Sequence, residues 1–100
     1  MLIRSVRMTF KPEKVPEFQK IFNKSKNQIR NFPGCQHLEL HGDYTHGNIF
    51  ATYSIWQDQN ALDNYRNSDL FKEVWSQTKI LFEKDPIAFS SRLIEEVDKS

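Results

Sequence analysis

The residues best suited to chemistry lie close together between Thr52 and Trp75. Trp56 follows Thr52 and Ser54 at alternate positions, and alternate residues of a strand share a face. An indole beside two hydroxyls suits an aromatic guest, whose ring would stack on Trp56 while an oxygen bonds to Thr52. The other reading makes Trp56 a core anchor. Tyr65 and Trp75, both in helical stretches, are candidates for the opposite wall of the same cleft, although aromatics at helical spacing also build cores. Tyr65 can donate a hydrogen bond, but a phenol titrates near 10 in reference peptides and makes a weak base. Arg4 interrupts an apolar strand face; it either meets an anionic or carbonyl group at a pocket mouth or snorkels to water.

Other reactive side chains point to less. His37, Glu39 and His41 alternate along a strand, which separates the two histidines by roughly 13 Å along the backbone and argues against one shared ion. They read as a polar face, with His37 a thin candidate for a proton acceptor, as are Tyr65 and Thr52. His46 falls in a loop. Cys35 is the only cysteine, so no disulfide forms within the chain, and nothing in the sequence sets a base beside it. No glycine-rich phosphate loop, nucleophile elbow or cysteine pair for zinc occurs. No metal and no cofactor is expected.

Fourteen basic and thirteen acidic residues nearly cancel, so charge favours neither nucleic acid nor an anionic membrane as a partner. No apolar run approaches the ~20 residues of a membrane helix, and no signal-peptide pattern opens the chain. The expectation is a cytoplasmic protein whose 100 residues form one domain.

The positioning elements follow from periodicity. Leu2 to Phe10 alternates as a strand. Pro16 suits the first turn of a helix whose buried stripe is Val15, Phe18, Phe22, Ser25, Ile29 and Phe32. Pro33-Gly34 ends it. Cys35 to Gly42 alternates again, with Cys35, His37, Glu39 and His41 on one side and Leu38 and Leu40 on the other. A loop leads to a third strand, Ile49 to Trp56. Asp58 and Ser68 are N-cap candidates for a short and a longer helix. The longer one carries Phe71, Val74, Trp75, Thr78 and Phe82 up to Asp85-Pro86. A last strand takes in Ile87, Phe89, Ser91, Leu93 and Val97. The order βαββαβ predicts an α+β, ferredoxin-like domain with a four-stranded antiparallel sheet and its helices on one face. The other face would leave Ile49, Ala51, Tyr53 and Ile55 in water, which predicts a homodimer joined sheet to sheet.

Taken together, Trp56 closing a strand, then Ala61-Leu62, Tyr65, Ser68 and Phe71, resembles the antibiotic biosynthesis monooxygenase (ABM) family of dimeric α/β barrels, over essentially the whole chain. The resemblance implies a pocket between sheet and helices. Some members oxidise aromatic substrates without a cofactor, using a Trp, an Asn and a Tyr at positions that here hold Trp56, Thr52 and Leu62. Haem-degrading members use an Asn, a Trp and a His where this chain has Val6, Tyr65 and Trp75, so the iron-ligating His is missing. The implied site has Trp56, Thr52 and Tyr65 at its catalytic centre and Arg4, Val6, Ser54, Leu62 and Trp75 contacting the ligand. The implied function is cofactor-independent, monooxygenase-like oxidation of a small aromatic or quinone-type molecule. The alternatives are a non-catalytic ligand-binding or sensing dimer, or haem held without the usual ligand.

Overall fold

The computed structural model describes residues 1–100. Its elements are β1 (Leu2–Thr9), α1 (Val15–Arg30), β2 (Cys35–Gly42), β3 (Ile49–Trp56), α2 (Gln59–Arg66), α3 (Asp69–Lys79) and β4 (Ile87–Ser91), with a 3-10 turn at Pro12–Lys14 leading into α1. The strands form one antiparallel sheet in the order β2-β3-β1-β4, the ferredoxin-like arrangement that the βαββαβ pattern predicts. No helix is long and apolar enough to cross a membrane.

Local chemistry sets the element ends. Asp58 Oδ1 accepts from the Ala61 amide at 2.8 Å and Ser68 Oγ from the Phe71 amide at 3.1 Å, so both expected N-caps hold their helices. Gly34 has φ of +89° in the turn between α1 and β2, a conformation that strains a side chain. A Cβ there would also be driven into Ala61.

Register decides which side chains meet. Across β1 and β3 the inward pairs are Leu2 with Trp56, Arg4 with Ser54, Val6 with Thr52 and Met8 with Phe50. The outward set includes Ile3 with Ile55, Ser5 with Tyr53 and Arg7 with Ala51. On β4 the apolar Ile87 and Phe89 pair with Arg7 and Ser5 and so lie on the outer face, while the small Ala88 and Ser90 face the helices.

Three expectations need correction. Cys35 does not share a face with His37, because a bulge between them shifts the register and puts Cys35 beside Trp56 in the core. The longer helix ends at Lys79, well before Asp85-Pro86. The chain turns early because Phe82 bridges to Phe10, the Lys11 amide donates to Leu81 O and the Glu83 amide to Thr9 O, bonds that a continuing helix would forfeit. The last strand stops at Ser91, so Leu93 and Val97 lie outside the sheet, exposed.

The core is two clusters rather than one. Met8, Phe10, Phe18 and Leu81 form the first; Cys35, Trp56, Ala61 and Leu62 form the second. Between them the inner face of the sheet and the helices do not close.

Candidate functional site

That gap is a cavity of about 240 Å³, bounded by Met8 and Phe18 of one cluster and Trp56 and Leu62 of the other. The strands supply its floor through Arg4, Val6, Leu38, Thr52 and Ser54. Tyr65 and Arg66 of α2, with Phe71, Val74, Trp75 and Thr78 of α3, supply its roof. All eight residues singled out from the sequence (Arg4, Val6, Thr52, Ser54, Trp56, Leu62, Tyr65 and Trp75) border it. Arg66 was not singled out. Its only sequence signal is its place next to Tyr65, and a basic residue at the end of a helix ordinarily reads as complementing the helix dipole.

The aromatic wall is continuous. Tyr65 stacks on Trp56 with ring centroids 4.9 Å apart and meets Phe71 edge-on at 5.2 Å; Phe71 stacks on Trp75 at 5.8 Å. Trp56 is only 1 % exposed. Its Nε1 donates to Ser54 Oγ at 3.0 Å, and Ser54 Oγ in turn reaches Arg4 O at 3.4 Å. Of the two readings of Trp56, packing therefore favours the anchor: a guest has little indole face left to stack on, and the Ser54 hydroxyl is already engaged. Thr52 and Trp75 are half-buried, and the Thr52 hydroxyl has no hydrogen-bond partner within the chain, so it remains open to a ligand.

Burial pushes the Tyr65 phenol far above its ordinary value, with the nearby Cys35 adding to the shift. Tyr65 is thus a neutral hydrogen-bond donor rather than the base considered for it. His37 is no better placed, because it lies on the outer face of the sheet, away from the cavity. There His37 and His41 each turn Nε2 onto Glu39, at 2.5 and 2.7 Å, and His41 stacks on Tyr53. These bonds, His37 first and then His41, hold the Glu39 carboxyl below its ordinary value. His46 is tied to Asp43 in the β2–β3 loop. The cavity lining contains no imidazole and no carboxylate, so it lacks the histidine by which haem-degrading relatives would hold iron.

The site is thus an apolar, aromatic-walled cavity between the sheet and the helices of a ferredoxin-like α+β domain. Residues 1–75 match the family model described as antibiotic biosynthesis monooxygenase, and the chain belongs to that family. Among solved structures it is similar to a conserved protein from Methanosarcina mazei Go1, with 26% identity, a TM-score of 0.86 and 92% of each chain covered. It is also similar to a structure described as antibiotic biosynthesis monooxygenase, with 19% identity, a TM-score of 0.90, and 95% of this chain and 100% of the other covered. A third is Rv0793 from Mycobacterium tuberculosis, with 15% identity, a TM-score of 0.87, and 97% and 98% covered. No curated protein matches the chain in sequence.

Proposed function

We propose that this chain is a homodimeric, monooxygenase-like oxidoreductase that holds a small aromatic or quinone-type molecule in its cavity and oxidises it with dioxygen, without a resident cofactor, all 100 residues acting as one domain. The carrying observation is the cavity itself: an apolar hollow left open where a small domain would ordinarily pack its core, bordered by Thr52 and Tyr65, whose hydroxyls have no partner within the chain. With an anthrone-type substrate one oxygen atom enters as a carbonyl and the other leaves as water, the ring methylene supplying both hydrogens; a hydroquinone would instead pass two electrons and two protons to dioxygen, giving a quinone and hydrogen peroxide. The task left to the protein is to keep an electron-rich substrate dry, oriented and near oxygen. Thr52 would orient the substrate oxygen, Tyr65 would donate a hydrogen bond, and Val6, Leu62 and Trp75 would enclose the ring.

The dimer is supported by the outer face. Ile87 is 61 % and Phe89 54 % exposed, beside Tyr53, Ile55 and Ile3. Only twelve of the 100 residues are buried, so much apolar surface awaits a cover. A second copy presenting the same face gives a self-complementary, two-fold interface.

One observation favours the alternative of a binding or sensing module: no lining group is a competent base. Oxygen uptake with anthrone or a hydroquinone separates the two. Consumption above the spontaneous rate, reduced about tenfold or more in Thr52→Ala, supports the enzyme. Saturable binding of these compounds with no uptake supports the module.

A further inference from the structure

The cavity lining carries two cations and no anion: Arg4 of β1 and Arg66 at the end of α2 border it, and no aspartate or glutamate does. Neither arginine takes part in any of the ion pairs of the fold, which join Arg7 and His46 to Asp43, Lys14 to Glu17, and His37 and His41 to Glu39. Arg4 is half-buried and spends one N–H on Ser90 Oγ at 3.1 Å. A guanidinium has five N–H donors, so most of its capacity is left over. Arg66 is exposed and makes no side-chain hydrogen bond within the chain. The two lie near enough that Arg66 disfavours the charge on Arg4, secondary to burial. Two like charges that border one apolar hollow, with no anion in its lining, favour an anion between them.

We propose that the ligand of this cavity is an aromatic carboxylate, its ring among the aromatic side chains and its carboxylate shared by Arg4 and Arg66. The inference rests on the reading of the cavity as a ligand site and adds the chemical class of the ligand. A carboxylate matches the planar fork of a guanidinium, which bonds both oxygens at once. An apolar pocket alone would reject such a charge because of its desolvation cost, so the paired arginines are what admit it.

The test compares two probes of one shape, 2-naphthoate and the neutral 2-naphthamide, by calorimetry with the full chain, its fold checked by circular dichroism. Wild type is expected to bind naphthoate about 10- to 100-fold tighter than naphthamide, the range of charge-assisted hydrogen bonds. Raising salt should weaken naphthoate binding and leave the amide unchanged. Arg66→Gln, at an exposed position where folding is not at stake, should remove about tenfold of the preference. The double variant Arg4→Gln/Arg66→Gln should abolish it, the naphthoate affinity falling to that of the amide, and Arg4→Lys in place of Arg4→Gln should keep part of it. Equal affinity for the two probes in wild type, or a preference that survives in the double variant, overturns the carboxylate assignment while leaving the cavity a ligand site. Failure of both probes to bind overturns the cavity reading and this inference with it.

Discussion

Trp56→Phe separates what the indole does for the fold from what it does for a ligand. The substitution removes the buried Nε1 bond to Ser54 Oγ, 3.0 Å long. A net hydrogen bond is worth about 1 kcal/mol. A phenyl ring is roughly 40 Å³ smaller than an indole, and at about 24 cal/mol per Å³ the space left behind costs about 1 kcal/mol more. Weaker stacking on Tyr65, now 4.9 Å away and nearly parallel, adds about 0.5–1 kcal/mol. The sum is about 3 kcal/mol, and at about 4–8 °C per kcal/mol for a domain of this size the melting temperature should fall by about 12–24 °C. Thermal melts at one fixed protein concentration measure it, since assembly makes the midpoint concentration-dependent. A double-mutant cycle with Ser54→Ala isolates the hydrogen bond, with an expected coupling of about 1 kcal/mol. A melting temperature within about 2 °C of wild type would show that Trp56 is not the anchor its burial makes it.

Gly34→Ala meets two obstacles at once, a left-handed backbone and the Ala61 side chain, and should destabilise the fold by about 2–4 kcal/mol in urea titration. Asp43 accepts from the His46 amide and then the Thr45 amide, and its carboxyl is held down to about 2. A depressed folded value means that this stabilisation is present above the ordinary aspartate range and lost as pH falls through the folded value. Amide protection at Thr45 and His46 should therefore persist at about pH 4 and fade toward about pH 2, whereas Asp43→Asn should weaken it at every pH. Phe89→Arg places a charge on the outer sheet face at the edge strand β4; light scattering should report a dimer for wild type and a monomer for the variant, with circular dichroism unchanged. A dimer that survives Phe89→Arg would place the interface elsewhere.

Alternation alone assigned Thr52, Ser54 and Trp56 to one face and Tyr53 and Ile55 to the other, because a strand leaves only two choices for each side chain. Asp58 and Ser68 were legible as caps because an N-cap is a local bond between residues three apart. Once the order of elements was read, the sheet order followed from the few topologies available to it. Tertiary structure decided what local rules do not reach. The bulge after Cys35 turned that side chain into the core, and the bridge from Phe10 to Phe82 ended α3 early, since both depend on partners distant in sequence. The same holds for the cavity. Whether Trp56, Tyr65 and Trp75 fill a core or line a hollow depends on how far apart sheet and helices settle, a difference of a few ångströms that no spacing of residues encodes. Arg4 was visible as an anomaly on its strand, yet only the packing of α2 against β3 and α3 put Arg66 on the border of the same cavity.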